Sequence, residues 1–492
     1  MGTSTARQVH HAGHGTGPAT ARPLRVAIIG AGPAGVYAAD ILTKAERDFE
    51  VSIDLFEAYP APYGLIRYGV APDHPRIKGI VGALHKVLDR GDIRFLGNVT
   101  YGRDLTLSDF RAFYDAVIFS TGAIRDAELD LPGIGLQGSF GAADFVSWYD
   151  GHPDVPRQWP LEAKEVAVIG NGNVALDVAR MLSKHADDLL VTEIPDNVYA
   201  GLKASPVTDV HIFGRRGPAQ VKFTPLELRE LSHSRDVDIV LYPEDFEFDA
   251  ASDEAIRTNN QTKTMVNTLT NWLVEEASHS EHPASRRLHL HFLHNPVEIT
   301  GTDGKVSGIR FERMKLDGTG RAVGTGEIVE YPVQAVYRAI GYFGSELPEV
   351  GFDERRGVIP NEAGRVLDVD GNPVPGIYTT GWIKRGPVGL IGSTKGDALE
   401  TIGCLLEDRL SLPHAEHPGE HEIIELLESR GVEYTTWEGW LKLDAHERAL
   451  GAAHAEADRA ADDGAGSEAA TATVRERIKV VPREEMVNIS RK

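Results

Sequence analysis

Short apolar runs that end in a glycine turn, each followed by an amphipathic stretch, dominate the first part of the chain. LRVAIIG (24–30) is such a run, and PAGVYAADILTKA follows it with apolar residues at helical spacing. A strand buried on both faces has a nearly continuous apolar run, whereas a helix repeats its apolar residues every third or fourth position. The pattern therefore predicts a strand, a tight turn and a helix in succession. Further strands are predicted at 51–57, 93–100 and 116–122.

The same succession begins again at Glu165. EVAVIG predicts a strand, NGNVALDVARMLSK a helix, and DVHIFGRR (209–216) the next strand. Between this helix and strand, the proline and polar residues of 185–208 predict a loop with short helical pieces. Repetition of the unit indicates a duplicated βαβ motif. The predicted fold class is α/β, with two Rossmann-like dinucleotide-binding domains.

The second domain is predicted to be inserted into the first. The chain leaves the first unit at STGA (120–123) and returns at AIGY (339–342), and we expect these segments to form two hinge strands. GIYTTGW (376–382) then predicts a strand that rejoins a sheet, and KGDALETIGCLLEDRL (395–410) a helix. The expected boundaries are 24–123 plus 347–492 for the first domain and 124–346 for the second.

Three further segments are distinguished by composition. Residues 1–23 contain arginine and threonine without acids, as a transit peptide does, but they lack an amphipathic apolar stripe and are expected to be a disordered extension. The Ala-, Asp- and Gly-rich stretch 451–473 predicts a mobile linker. RERIKVVPREEM (475–486) regains a pattern and is expected to dock back on the body.

Composition narrows the function classes. The net charge of -22 argues against nucleic acid as the main partner, because phosphate binding needs clustered Lys and Arg. The single cysteine, Cys404, excludes a disulfide framework, a CxxC redox pair and an iron–sulfur cluster held by cysteines of this chain. No metal site is predicted. No apolar run is long enough for a membrane span, and a cytoplasmic location is expected.

The first glycine turn has the features of a dinucleotide site. Gly30, Gly32 and Gly35 form GxGxxG between a strand and a helix. The first glycine permits the tight turn, the second lets the backbone approach a pyrophosphate, and the third allows close packing of helix and strand. Glu57 ends the next strand, where an acid accepts hydrogen bonds from a ribose. An ordinary glycine turn is the alternative, but strand, helix and acid agree on a dinucleotide.

The second turn differs at the end of its next strand. Gly170, Gly172 and Ala175 form the permitted variant GxGxxA, but Arg215 and Arg216 stand where the first site has an acid. Guanidinium groups bind a 2′-phosphate, whereas a carboxylate would repel it. The second site is therefore predicted to prefer NADPH over NADH, unless both arginines are merely solvated. Two such sites suit a flavin held permanently and a nicotinamide that comes and goes.

Long motifs in this chain resemble those of the adrenodoxin reductase-type ferredoxin–NADP reductases. They keep the order of that family, and the resemblance spans about Leu24 to Leu443, with Tyr63 and Tyr68 replacing its usual phenylalanines. The tail from Arg475 to Met486 also resembles the end of that family. The motifs are PAPYGLIRYGVAPDHPRIK (60–78), GNGNVALDVAR (170–180), GRRGPAQVKFTPLELREL (214–231) and GWIKRGPVGLIGSTKGD (381–397).

The resemblance implies FAD in the first domain and NADP(H) in the inserted one. It implies a ferredoxin–NADP(+) oxidoreductase, which passes a hydride from NADPH to FAD and then single electrons to a ferredoxin-type iron–sulfur protein. The FAD contacts implied are Ala34, Glu57, Leu65, Val99, Trp382, Gly389, Leu390 and Ile391. The NADP contacts implied are Asn171, Gly172, Asn173, Val174, Arg215, Arg216 and Glu227, with Gly389 near the nicotinamide. For Trp382, a plain place in the core is the alternative.

Two polar residues are candidates for the chemistry itself. His74 in APDHP and Glu230 in ELRE could relay protons or orient the nicotinamide beside a flavin. The alternative is that both belong to a hydrogen-bond network without a kinetic role. The basic residues Lys222, Arg229 and Arg235 could steer an acidic ferredoxin, or form a solvated helix face.

Other functions are compatible with two nucleotide sites. An NADPH-dependent flavin monooxygenase would need a closed substrate pocket beside the flavin, for which the sequence offers no feature. An NADP(H)-sensing flavoprotein without catalytic turnover would keep its flavin oxidised in NADPH. The oligomeric state stays open, with a monomer favoured.

Overall fold

The computed structural model describes residues 22–278, 283–389, 391–462 and 475–492. The extension expected at 1–23 lies outside these ranges except for Arg22 and Pro23. In the described chain the strands are β1 (Leu24–Ile29), β2 (Val51–Phe56), β3 (Arg94–Leu96), β4 (Ala116–Phe119), β5 (Arg125–Asp126), β6 (Ser139–Gly141), β7 (Glu165–Ile169), β8 (Asp209–Phe213), β9 (Val237–Leu241), β10 (Arg286–His291), β11 (His294–Thr302), β12 (Lys305–Leu316), β13 (Ala322–Tyr331), β14 (Ala335–Arg338), β15 (Tyr342–Phe343), β16 (Asn361–Glu362), β17 (Arg365–Leu367) and β18 (Pro373–Thr379).

Helices flank these strands throughout the chain. They are α1 (Pro33–Lys44), α2 (Leu65–Tyr68), α3 (Pro75–Lys78), α4 (Val81–Leu88), α5 (Leu107–Phe113), α6 (Ala142–Tyr149), α7 (Asn173–Ser183), α8 (Asp196–Ala204), α9 (Pro225–Leu231), α10 (Ala250–Thr258), α11 (Asn260–Ser278), α12 (Trp382–Arg385), α13 (Ile391–Asp408), α14 (Glu422–Ser429), α15 (Trp437–Asp462) and α16 (Arg483–Arg491). None of the helices in these ranges combines the length and the apolar composition that a bilayer crossing requires.

The first sheet has the strand order β16-β17-β18-β4-β1-β2-β3. Strands β18, β4, β1, β2 and β3 run parallel. Alternate residues of β1 enter two core clusters: Val26 and Ile28 pack on one face of the sheet, and Ala27 and Ile29 on the other. Burial on both faces explains why the sequence shows a continuous apolar run here rather than an alternating one.

The second sheet lies within the predicted insertion and has the order β6-β14-β7-β8-β10-β9, with every neighbouring pair parallel. The α/β fold with two parallel sheets is thus confirmed. We propose on this basis the division into an outer domain and an inserted domain, with the boundaries predicted above (24–123 plus 347–492, and 124–346).

The two connections between the domains pair with each other. Strand β5 and strand β15 form an antiparallel ribbon in which Tyr342 faces Asp126 and Phe343 faces Arg125. The ribbon lies a few residues beyond STGA on one side and at the end of AIGY on the other, and its role as a hinge stays a prediction. A separate antiparallel sheet, β11-β12-β13, was not predicted.

The linker expected at 451–473 is corrected in part. Helix α15 continues to Asp462, because alanine is the strongest helix former and this stretch is rich in it. The remainder, 463–473, lies outside the described residues. The loop expected at 185–208 contains helix α8, in line with the short helical pieces predicted there. The tail docks as expected, and its residues Ile478, Val480 and Val481 are buried.

Candidate functional site

The first glycine turn has the shape that its sequence predicts. Gly30 has a φ of +109°, and a Cβ atom there would lie 2.5 Å from the carbonyl oxygen of Ser120. A Cβ on Gly35 would overlap the carbonyl oxygen of Gly30. Gly32 precedes α1, and its Cβ would meet nothing closer than 3.8 Å. The turn is therefore closed towards the protein and open at Gly32, which fits the approach of a pyrophosphate to the start of a helix.

Glu57 ties the next strand to this turn. Its Oε2 atom accepts a hydrogen bond of 2.8 Å from the amide of Ala31. Burial raises the pKa of Glu57 to about 7, against the lowering effect of backbone N–H groups. A buried carboxylate beside the glycine turn can accept hydrogen bonds from the hydroxyl groups of a ribose. These bonds would replace part of the solvation that the carboxylate loses on burial.

The segment after β2 closes over the same turn. The amide of Tyr63 donates to the carbonyl of Ala31 at 2.9 Å, and a Cβ on Gly64 would lie 3.0 Å from the Cα of Gly32. Half-buried Leu65 follows directly. Val99 is buried, and its amide donates to the carbonyl of Glu57 at 2.9 Å. The structure thus brings the predicted residues Leu65 and Val99 to the first turn.

The segment that begins at Gly381 reaches the same place from the other end of the chain. Gly381 has a φ of +77°, and its Cβ would lie 2.6 Å from the Cβ of Ala34. Asp397 of α13 fixes this segment: its carboxylate accepts a hydrogen bond from the amide of Gly381 and forms an ion pair of 3.1 Å with Lys384. Trp382 is half-buried and packs against the cluster formed by Ala123, Ala143 and Tyr342, so it lies where the two domains meet.

The rest of that motif is described only in part. Gly389 has a φ of +88° and is exposed. Leu390 and the side chain of Ile391 lie outside the described residues.

The second turn repeats the first in the inserted domain. Gly170 has a φ of +144°, and a Cβ there would overlap the carbonyl oxygen of Ala339. A Cβ on Gly172 would meet no described atom within 4 Å. The side-chain oxygen of Asn173 accepts a hydrogen bond of 2.9 Å from the amide of Thr224. The backbone carbonyl of Asn171 accepts one of 3.0 Å from the amide of Lys222. The turn is again walled by protein on one side and open where a pyrophosphate would approach.

Arg215 and Arg216 follow β8 after the single residue Gly214, and their side chains are exposed. The loop is anchored on both sides: the amide of Gly214 donates to the carbonyl of His291, and the amide of Leu293 donates to the carbonyl of Arg216. A rigid backbone with two exposed guanidinium groups at the carboxyl end of a parallel strand fits a 2′-phosphate.

His74 connects the two domains. Its Nε2 atom lies 2.9 Å from Asp177 Oδ1 and 3.0 Å from Glu227 Oε2, both in the inserted domain. Burial alone would lower the pKa of His74, but the contacts with Asp177 and Glu227 outweigh it and raise the pKa to about 9. The imidazole is therefore protonated at neutral pH. Arg180 Nη2 lies 2.7 Å from the same nitrogen, and the carboxylate of Asp177 holds both cations.

Glu230, the second candidate for chemistry, lies apart from His74. Its Oε2 atom lies 3.7 Å from Nδ1 of His233, and about a third of its side chain is exposed. The carboxylate that contacts His74 belongs to Glu227, one helical turn earlier on α9. The role predicted for Glu230 stays a prediction.

The ion pairs around His74 were not predicted from the sequence. Asp73 Oδ1 pairs with Arg180 at 2.8 Å, and its Oδ2 with Lys184 at 2.6 Å. Arg180 is buried, and although burial alone would raise the pKa of Asp73, the neighbouring Arg180 and Lys184 hold that pKa well below its usual range. The signal was present in GNGNVALDVAR, where Asp177 and Arg180 stand three apart on an otherwise apolar helix.

A group of histidines lies next to the loop that carries Arg215 and Arg216. His211 and His291 share a hydrogen bond of 3.0 Å, and the His211 ring stacks on that of His289, with an interplanar angle of 9°. Asp209 and Tyr242 hydrogen-bond the two nitrogens of His289. Nearly parallel rings do not direct their lone pairs at one point, so the arrangement suits stacking rather than metal binding. The predicted absence of a metal site stays a prediction.

Comparison with known proteins agrees with this geometry. A family model described as pyridine nucleotide-disulphide oxidoreductase matches residues 24–210. The chain is 40% identical to the NADPH-ferredoxin reductase FprA of Mycobacterium tuberculosis over 88% of this chain and 96% of the relative. It is 38% identical to the mitochondrial NADPH:adrenodoxin oxidoreductase of Arabidopsis thaliana over 88% of this chain and 92% of the relative.

A solved structure supports the same likeness. The Mycobacterium tuberculosis FprA in complex with NADPH superposes with a TM-score of 0.82 at 36% identity, covering 96% of this chain and 100% of that chain. The fold and the order of both glycine turns are thus those of a known flavin- and nicotinamide-dependent architecture.

Proposed function

The chain belongs to the family of NADPH:adrenodoxin oxidoreductases and NADPH-ferredoxin reductases, and from this premise we propose that it transfers electrons from NADPH through FAD to a ferredoxin-type iron–sulfur protein. It is a ferredoxin–NADP(+) oxidoreductase, with FAD in the outer domain and NADP(H) in the inserted domain. The observation that carries the proposal is the presence of two open glycine turns in one chain, one backed by Glu57 and the other by Arg215 and Arg216.

When bound, FAD accepts a hydride from NADPH and gives up electrons one at a time. The residues of this chain supply binding and orientation. Gly32 and the start of α1 leave room for the FAD pyrophosphate, Glu57 would take its ribose, and the segment held by Asp397 places Trp382 beside the junction of the domains. Gly172 would leave room for the NADPH pyrophosphate, and Arg215 would bind the 2′-phosphate of its ribose.

His74 is proposed to orient the nicotinamide. It lies buried at the domain junction and is held protonated by two carboxylates of the inserted domain. A protonated imidazole can donate a hydrogen bond to a carboxamide oxygen, and its ion pairs fix the loop that carries it.

His74→Ala is expected to slow reduction of the flavin by NADPH roughly tenfold to a hundredfold, because a small misplacement of the reacting rings is costly. The measurement is the single-turnover rate in an anaerobic stopped-flow experiment. His74→Gln, which keeps a donor towards Asp177, serves as the matched variant and should lose less. An unchanged single-turnover rate in His74→Ala would show that the residue has no kinetic role.

The partner surface is proposed around Lys222, Arg229 and Arg235. All three side chains are exposed in the inserted domain, although Arg235 also pairs with Asp188 at 3.1 Å. Exposed cations can steer an acidic ferredoxin despite the acidic balance of the whole chain. A cytoplasmic location and a monomeric state are part of the same proposal, and light scattering of the purified protein measures the second.

Anaerobic mixing tests the function directly. We expect NADPH to bleach the flavin much faster than NADH does, and a ferredoxin added next to become reduced, more slowly at high salt. Bleaching of the flavin by NADPH without electron transfer to any ferredoxin would still support a flavoenzyme but would contradict the proposed ferredoxin partner. Oxygen uptake coupled to an organic product would favour the monooxygenase, and a flavin that stays oxidised in NADPH would favour the sensor.

A further inference from the structure

The C-terminal segment 475–483, here called the clasp, carries a row of buried cations. Arg475, Arg477 and Lys479 are 2%, 6% and 3% exposed. Their two-residue spacing places them on one side of an extended chain. Lysine and arginine side chains are rarely buried to this extent unless they are paired. Each cation must therefore find its partners in the body of the protein.

The partners of the arginines lie in different domains. Arg475 pairs with Asp196 at 2.7 Å and donates to the carbonyl of Ile194, both in the inserted domain. Arg477 pairs with Asp444 of the outer domain at 2.5 Å, and its Nε atom lies 3.7 Å from Glu193 Oε2 of the inserted domain. The arginines of the clasp thus contact both domains.

Lys479 contacts both domains at once. Its Nζ atom donates to the carbonyl of Arg67 in the outer domain at 2.7 Å and to the carbonyl of Asp150 in the inserted domain at 3.0 Å. It also lies 2.7 Å from a carboxylate oxygen of Glu193. Lys78 of the outer domain approaches the same oxygen of Glu193 at 2.7 Å, so two lysines and two acids, Asp150 and Glu193, form one buried cluster.

The cluster holds a defined geometry because each buried charge is compensated by the opposite charges of the other members. Asp150 is fully buried, and burial raises its pKa to about 6 although both lysines lower it. Burial likewise lowers the pKa of Lys479 to about 8 in spite of Glu193. Moving one domain relative to the other would leave buried charges unpaired, which is far more costly than losing an apolar contact of similar size.

We propose that Lys479 is a positioning residue: by joining the two domains, it fixes their relative orientation and hence the placement of the nicotinamide against the flavin. The inference rests on the proposed function for its kinetic part only. The junction that it locks is the same one at which His74 and Trp382 lie, reached from the opposite end of the chain.

The test uses the full-length flavoprotein with Lys479→Met, the double variant Lys479→Met with Glu193→Gln, and the control Arg25→Met. Arg25 is equally buried, but its partners Ser52 and Asp54 all lie in the outer domain. Three quantities are measured for each: the melting temperature, the Kd for NADP(+) by calorimetry, and the anaerobic rate of flavin reduction by NADPH. Spin labels at Lys86→Cys and Lys203→Cys, one exposed site in each domain, report the inter-domain distance without any turnover.

We expect Lys479→Met to broaden the distance distribution and to slow flavin reduction roughly tenfold to a hundredfold, with the Kd for NADP(+) nearly unchanged. The double variant should recover stability, since it leaves one lysine, Lys78, facing one acid, Asp150, but it should stay slow. Arg25→Met should lose stability and keep its rate.

Two outcomes would overturn the proposal. One is a distance distribution as narrow in Lys479→Met as in the unmodified protein. The other is a rate that recovers together with stability in the double variant, which would make the role of Lys479 merely structural. If the unmodified protein itself is not reduced by NADPH, the proposed function fails, and the distance measurement still decides the role of the clasp.

Discussion

Replacing both Arg215 and Arg216 with alanine is expected to raise the Kd for NADPH by roughly two to four powers of ten. A hydrogen bond to a charged group contributes about 1.5–3 kcal/mol, which corresponds to about tenfold to 150-fold for each guanidinium lost. The two side chains are exposed on an anchored loop at the carboxyl end of β8, so their removal leaves no buried group unpaired. The Kd for NADH, which has no 2′-phosphate, should change little.

Calorimetric titration with NADPH and NADH measures both values on the same protein. Arg287→Ala is the matched control, because Arg287 is an exposed arginine of the same sheet that pairs with Asp209 at the opposite end of β8. It should leave both constants unchanged. If the double variant loses affinity for NADPH and NADH equally, the arginines do not read the 2′-phosphate, and the nucleotide preference arises elsewhere.

The two nucleotide turns could be predicted because their chemistry is local in sequence. Strand, glycine turn and helix are consecutive, so Gly30 and Gly170 could be assigned before any contact between distant residues was known. The acid or arginine at the next strand end lies only some tens of residues further along. Sequence periodicity and turn chemistry were therefore sufficient to identify both turns.

The junction between the domains could not be predicted in the same way. His74 meets Asp177 and Glu227, and Lys479 meets Asp150 and Glu193, across large separations in the chain. Each of these residues alone resembles an ordinary surface charge, and only the packing of two domains buries it. For the same reason the sequence does not predict that Glu227 rather than Glu230 contacts His74, because that depends on which face of α9 packs.

Helix α15 shows the opposite error. The Ala-rich stretch after Gly451 was interpreted as a linker from its composition, although alanine favours a helix wherever the chain has one to extend. The preceding residues Trp437 and Trp440 are buried and anchor that helix, so it continues to Asp462. Composition alone does not distinguish a flexible alanine-rich segment from the free end of an anchored helix.

Gly35→Ala is expected to yield a protein that purifies with little or no FAD and a lower melting temperature. The added Cβ would overlap the carbonyl oxygen of Gly30 and lie 2.7 Å from the hydroxyl of Ser120, so α1 must move away from β1. Overpacking of this kind costs about 1–3 kcal/mol, and the movement displaces the turn that FAD would contact. The measurements are the ratio of flavin to protein absorbance and the thermal unfolding of the flavin-free protein.

Gly32→Ala separates the binding role of the turn from its packing role. Gly32 has an ordinary φ of -72°, and the nearest atom to its Cβ would be 3.8 Å away, so the flavin-free protein should be as stable as the unmodified one. Its Cβ would nevertheless enter the space through which the backbone approaches a pyrophosphate, and FAD should be lost. A Gly32→Ala protein that keeps one FAD per chain would contradict the assignment of this turn, because no atom of the described residues lies close enough to exclude a Cβ there and only a bound phosphate would require glycine.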